Sequence, residues 1–174
     1  MKELVLGGVR SGKSRYAEQR ARESGLSVVC VATATAHDEE MRERIRAHQE
    51  RRPASWTVVE TPRALAATLR IQASPDRCLL VDCLTLWLTN LLCADDAEVF
   101  QAERAAFLKV LPVLSGRIIL VSNETNMGVI AASELARRFN DEAGRLHQEL
   151  ASLCDRVVLT VAGLPLFLKG NAAS

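Results

Sequence analysis

The sequence predicts an α/β fold with a mostly parallel central sheet flanked by helices, and three observations carry that expectation. Short apolar runs recur at Leu4 to Leu6, Leu26 to Thr33, Cys78 to Val81 and Arg117 to Ser122, the pattern of strands buried on both faces. Stretches with helical spacing separate them, so strands alternate with helices, as in a parallel sheet. The first run also leads into a glycine-rich turn and then a helix-favouring stretch, Arg15 to Arg20.

That turn, Gly7-Gly8-Val9-Arg10-Ser11-Gly12-Lys13-Ser14, completes G-x-x-x-x-G-K-S, a phosphate-binding loop. Backbone N–H groups can converge on a phosphate only where glycine permits the close approach or a positive φ. Lys13 adds positive charge, Ser14 a hydroxyl for Mg²⁺, and the following helix presents its positive dipole end to the same anion. The motif sits between strand and helix as its mechanism demands, so the fold expected is a P-loop nucleotidase fold.

Bulk properties narrow the classes. At 174 residues and 48% hydrophobic, the chain is about one domain long and can bury a sizeable core. A net charge of +1, from 22 basic and 21 acidic side chains, argues against a broad nucleic-acid or membrane-surface footprint. No apolar run approaches the roughly 20 residues of a membrane span, and Met1 to Leu6 is too short for a signal peptide; a cytoplasmic protein is expected. The five cysteines, Cys30, Cys78, Cys83, Cys93 and Cys154, form no C-x-x-C pair and are odd in number. They indicate neither a zinc knuckle nor a complete disulfide framework, and Cys30, Cys78 and Cys154 read as small buried hydrophobes.

In chain order, Ser24-Gly25 closes the first helix, and Asp38 caps a second running to about Glu50, which Arg51-Arg52-Pro53 ends. Trp56 to Glu60 reads as a third strand and Pro62 to Ile71 as a helix. Cys78 to Asp82 has the form of a Walker B strand, a buried run carrying a carboxylate to the edge where Mg²⁺ sits; the alternative is an aspartate that caps the next helix. Leu84 to Leu92, with Trp87, reads as a buried helix, and Asp95-Asp96 begins a longer one through Leu111. The strand Arg117 to Ser122 ends in the polar cluster Asn123-Glu124-Thr125-Asn126, at the edge where open α/β sheets bind ligands. Ser133 opens a long helix whose stripe of Leu135, Phe139, Ala143, Leu146, Leu150 and Leu153 is expected to face the core. Arg156 to Ala162 is a last strand, and Gly163 to Lys169 a short edge strand. A single catalytic domain is expected over residues 1–170, with a short tail over 171–174.

His48 is the most informative histidine. It shares a helical face with Met41 and Ile45 and precedes Arg51 and Arg52. Spacing allows a partly buried packing histidine. The sharper reading is a nucleophile, since a neutral imidazole can attack phosphorus when nearby cations hold the polyphosphate and keep the ring unprotonated, against the helix dipole, which favours imidazolium. His37 reads as a solvated loop residue, and His147, beside the stripe of the long helix, as packing or surface.

Together these motifs resemble the bifunctional adenosylcobinamide kinase / adenosylcobinamide-phosphate guanylyltransferase family of cobalamin biosynthesis, from Leu4 to about Gly163. The matching parts are Gly7 to Ser14, Ala32-Thr33-Ala34, Arg44-Ile45-Arg46-Ala47-His48 with Arg52-Pro53 and Trp56, Asp82-Cys83-Leu84-Thr85, Thr89-Asn90-Leu91-Leu92, Asn123-Glu124, Met127-Gly128, Leu135-Ala136-Arg137, Phe139 and Ala143-Gly144-Arg145. The resemblance implies that ATP or GTP phosphorylates the hydroxyl of adenosylcobinamide, after which His48 takes GMP from GTP and passes it to the new phosphate. It implies that Lys13 and His48 are catalytic, that Gly7, Gly8, Val9, Arg10, Ser11, Gly12, Lys13 and Ser14 hold phosphates, and that Ala32, Thr33, Ala34, Gln49, Glu50, Arg51 and Arg52 line the guanine nucleotide site. Glu60 and Asp82 would contact nucleotide or metal, with Mg²⁺ on Ser14 and Asp82, and the protein would be a homotrimer. The sequence departs from the family pattern at Asn126, for glycine, at Ile130-Ala131, for Val-Pro, and at His147, for asparagine. Two other readings remain open: a small-molecule kinase without the transfer activity, and a nucleotide-dependent switch.

Overall fold

The continuous apolar runs become strands whose alternate residues feed two separate cores, because side chains of a strand point to opposite faces. Leu4, Leu6, Leu79, Val81, Ile118 and Leu120 pack on one face. Val5, Cys78, Leu80, Ile119 and Val121 pack on the other. The computed structural model describes residues 1–35, 39, 42, 43, 46, 50, 52–94, 96–128 and 130–171. Among them the chain forms β1 (Lys2–Gly7), α1 (Lys13–Glu23), β2 (Ser27–Ala32), β3 (Thr57–Glu60), α2 (Leu65–Gln72), β4 (Arg77–Asp82), α3 (Leu84–Leu92), α4 (Ala97–Val110), β5 (Arg117–Asn123), α5 (Glu134–Leu153), β6 (Arg156–Val161) and β7 (Leu164–Lys169), with a 3-10 turn at Leu111–Val113.

The seven strands form one sheet in the order β3-β2-β4-β5-β1-β6-β7. The pairs through β6 are parallel, and β7 turns back antiparallel on β6. Gly7, Ala32, Glu60, Asp82 and Asn123 therefore end on one edge, in register Gly7 beside Asn123 and Ala32 beside both Glu60 and Asp82. α1 covers one face through Ala17 and Ala21. The other face is covered by α2 to α5, where Trp87 meets Phe107 edge to face at 5.3 Å and donates its indole N–H to the Arg63 carbonyl at 2.7 Å.

Expected helix starts hold at Asp96 and Ser133, whose side chains accept backbone N–H groups of the first turn. The stripe of α5 departs from expectation: Ala143, Leu146 and Leu150 are buried, Phe139 and Leu153 half-buried, and Leu135 is 51% exposed. A 20-residue helix is about 30 Å long, whereas the six or seven residues of its neighbouring strands span about 20–23 Å. Its first turns therefore overhang the ligand edge. Of the expected second helix, Glu39, Arg42, Glu43, Arg46 and Glu50 are helical; His37, His48, Gln49 and Arg51 lie outside the described residues, as do Asp95 and residues 172–174.

The opposite edge is held by charge. Glu3, fully buried, accepts from Arg117 at 3.1 Å and from the Tyr16 hydroxyl at 3.2 Å, with Arg20 and Arg156 at 3.7 and 3.8 Å. Burial and the Glu3 charge push the Tyr16 phenol up to about 12.

Candidate functional site

β1 delivers Gly7 to the sheet edge and α1 begins at Lys13, so the loop between them must reverse direction within a few residues. Ser11 N–H closes a turn on the Gly8 carbonyl at 3.2 Å, and Gly12 caps α1 at φ +95°. A Cβ on Gly12 would sit 2.9 Å from the Gly163 Cα, while Gly163 N–H donates to the Ser11 carbonyl at 2.8 Å. The β6–β7 turn thus braces the phosphate loop, glycine against glycine. Ser11 Oγ and Thr160 Oγ1 are 2.9 Å apart, and the Thr160 hydroxyl donates to the Leu6 carbonyl at 3.1 Å. Val9, Gly8 and Arg10 form the exposed tip, Arg10 at φ +56°.

Lys13 folds back to donate from Nζ to the Gly8 carbonyl at 3.0 Å, and Ser14 follows in the first turn of α1. Burial draws the Lys13 ammonium below its ordinary range, against the opposing influence of Cys83 and Asp82. Because burial also pushes the Cys83 thiol up to about 11, Cys83 is neutral at pH 7 and the standing negative charge beside Lys13 is that of Asp82.

Asp82 ends β4, two strand spacings or about 10 Å from β1. Arg52 Nη2 donates to its Oδ2 at 2.8 Å, with both side chains largely buried. Thr33 joins the same corner from beneath: its hydroxyl donates to the Cys83 carbonyl at 2.7 Å and accepts Cys83 N–H at 3.0 Å. Asn90 ties the Thr33 carbonyl at 2.8 Å to that of Pro62 at 3.0 Å. The Thr33 side chain is therefore a strut, fully buried between β2 and β4, while Ala32 and Ala34 are half-buried at the edge. Glu60 ends β3 exposed, four strand spacings or about 19 Å from β1, too far to reach a phosphate held by Lys13.

Beyond β5 a network joins Glu124, His147 and Ser122. Glu124 N–H donates to the Gly7 carbonyl at 3.0 Å, locking the segment after β5 onto the phosphate loop. His147 is buried on α5; its Nε2 lies 2.8 Å from Ser122 Oγ and its Nδ1 3.7 Å from Glu124 Oε2. Burial lowers the His147 pKa against the pull of Glu124, leaving the ring neutral at pH 7. The signal was present in the sequence: His147 follows Ala143 by four residues and precedes Leu150 by three, which puts it on the buried face of α5.

Among the described residues no group of three His, Cys, Asp or Glu side chains could hold a metal, and no helix is long and apolar enough to cross a membrane. The oxygen donors of Ser14 and Asp82 instead fit a magnesium ion carried by phosphates, which takes only one or two protein ligands.

Comparison with known proteins identifies the family. Residues 3–168 match the CobU family model, cobinamide kinase / cobinamide phosphate guanyltransferase. The bifunctional adenosylcobalamin biosynthesis protein CobP of Pseudomonas aeruginosa is 61% identical over 171 residues, spanning 98% of this chain and 99% of that one. CobU of Salmonella typhimurium is 37% identical over 179 residues, spanning 95% and 98%. Solved structures with the same fold include the RadB recombinase (TM-score 0.55, 17% identity, 91% of this chain and 73% of that one) and the ATPase EscN of enteropathogenic E. coli (0.58, 15%, 91% and 41%). The P4 protein of bacteriophage phi6 in complex with ADP is similar at TM-score 0.53 and 15% identity over 95% of this chain, which spans about half, 53%, of P4. The phosphate loop, its α/β frame and a full-length match place the chain in the cobinamide kinase / cobinamide phosphate guanylyltransferase family, a bifunctional enzyme of adenosylcobalamin biosynthesis.

Proposed function

We propose that one nucleotide site serves both reactions, with the loop Gly7 to Ser14 holding the phosphates and His48 acting as a covalent carrier of GMP. In the first reaction the cobinamide hydroxyl oxygen attacks the γ-phosphorus of ATP or GTP, the bond to the β-phosphate oxygen breaks, and the nucleoside diphosphate leaves. Lys13 and the loop N–H groups neutralise charge that spreads over the phosphate oxygens. In the second, the His48 imidazole attacks the α-phosphorus of GTP and expels pyrophosphate. An oxygen of cobinamide phosphate then attacks the same phosphorus and the P–N bond breaks, releasing neutral His48.

The observation that carries this reading is the Arg52–Asp82 bond beside the braced loop. Arg52 stands four residues after His48, and four residues span at most about 14 Å, so this anchor keeps the histidine-bearing segment within reach of the phosphate edge. Gln49, Glu50 and Arg51 belong to the same segment and, with Ala32 and Ala34, form the guanine side. Ser14 and Asp82 would hold Mg²⁺, which supplies charge neutralisation to the phosphates when bound. We assign residues 1–170 to one domain working in the cytoplasm as a homotrimer. Leu164, Leu166 and Leu168, all exposed along the edge strand β7, support association.

Incubation with α-labelled GTP, followed by peptide mapping, tests the covalent step. Acid-labile, alkali-stable label on His48 that chases into product with adenosylcobinamide phosphate is expected. Its absence would leave a kinase without a guanylyl-histidine.

A further inference from the structure

The sheet order sets β5 between the phosphate-loop strand β1 and the Asp82 strand β4, so whatever follows Asn123 stands between the two. The residue there is Glu124. Its N–H is bound to the Gly7 carbonyl, and its Oε1 accepts Asn126 N–H at 2.7 Å. Oε2 faces His147 Nδ1 at 3.7 Å, beyond hydrogen-bonding range, and that buried nitrogen has no partner. One carboxylate oxygen is thus held and the other is open. The remaining carboxylates nearby are poorly placed for proton transfer: Asp82 is bonded to Arg52, and Glu60 is four strands from β1.

The hydrogen bonds behind His147 can run in one direction. Asn123 N–H donates to Thr85 Oγ1 at 2.7 Å, Thr85 Oγ1 and Ser122 Oγ are 3.4 Å apart, and Ser122 Oγ lies 2.8 Å from His147 Nε2. With Ser122 donating to Nε2, the single proton of the neutral ring sits on Nδ1, opposite Glu124 Oε2. Glu124 is the one ionisable group that acts on His147 among the described residues, since Ser122, which faces it from β5, does not titrate.

We propose that Glu124 is the proton acceptor of the kinase reaction, taking the hydroxyl proton of the cobinamide as its oxygen bonds to the γ-phosphorus, and that His147 is the positioning residue that aims Oε2. The hydroxyl O–H bond breaks as the new O–P bond forms, the proton passes to Oε2, and the electron pair of the broken P–O bond leaves with the nucleoside diphosphate. The proposal rests on the phosphate loop holding the phosphoryl donor.

The test measures phosphorylation of adenosylcobinamide and binding of a fluorescent GTP analogue in parallel. Glu124→Gln, which keeps shape and loses basicity, should lower kcat about a hundredfold or more, the range of general base catalysis, with nucleotide affinity within threefold. Glu124→Asp, which keeps a retracted carboxylate, should fall between and serves where the amide variant binds no nucleotide. His147→Leu should lower kcat about tenfold at unchanged KM, and His147→Gln, which keeps an N–H donor, should restore it. Lys13→Ala separates the failures. If that variant is inactive while Glu124→Gln retains kcat within threefold, Glu124 is not the acceptor; if Lys13→Ala is active, the site reading itself is wrong. A His147→Leu variant with wild-type kcat, or one whose loss His147→Gln fails to restore, overturns the positioning role.

Discussion

Arg52 and Asp82 meet across 30 positions of sequence in a 2.8 Å hydrogen bond between largely buried groups, which joins the end of the His48 segment to the end of β4. Removing the guanidinium takes one hydrogen-bonded cation from a carboxylate with 16% side-chain exposure. Arg52→Ala should lower the free energy of unfolding by about 2–3 kcal/mol, below the cost of breaking a fully buried pair. Urea denaturation of the nucleotide-free protein measures it, and the double variant with Asp82→Asn should recover part of the loss. A midpoint equal to wild type in the single variant would show the pair to be energetically idle.

Lys13 and His48 should separate the two activities. Lys13→Ala removes a charge contact shared by both reactions and should slow phosphorylation at least about a hundredfold. His48→Asn should abolish formation of adenosylcobinamide-GDP while sparing phosphorylation. Product analysis by chromatography distinguishes them, and guanylylated product from the His48 variant would exclude the covalent route.

Gly12 is required twice over, by φ +95° and by the Gly163 Cα that a Cβ would meet at 2.9 Å. Gly12→Ala should weaken nucleotide binding at least about tenfold, since the turn would shift against the β6–β7 brace at a backbone conformation that costs an L-residue about 1–2 kcal/mol. Isothermal titration with GTP reads this. Gly25→Ala, also at positive φ but with open space around it, provides the control for backbone strain away from the site.

Glu3 is separated from Gly7 by the length of β1, roughly 13 Å at 3.3 Å per residue. Glu3→Gln leaves Arg117, Arg20 and Arg156 facing one another without the buried carboxylate. A destabilisation of about 3–5 kcal/mol is expected, seen as a lower thermal midpoint, with KM for nucleotide unchanged at a temperature where the variant is folded.

Much of the molecule is local, and its sequence determined it. The two-sided strands follow from unbroken apolar runs, the helix starts from Asp96 and Ser133, and the phosphate loop from glycines and a lysine whose roles depend on a few consecutive residues. The resemblance that points to the family rests on such short motifs. Tertiary structure decided what depends on strand order and helix length. Leu135 looked like core until α5 proved longer than the strands it covers. Thr33 turned inward as a strut, Glu60 ended far from the phosphates, and Thr160 and Gly163 became the brace of a loop about 150 residues earlier in the chain. His147 carries the same lesson. Its spacing was read as packing or surface, and only the placement of α5 against β5 set it between Ser122 and Glu124, because a hydrogen bond needs two groups at a fixed distance and a linear pattern specifies one of them.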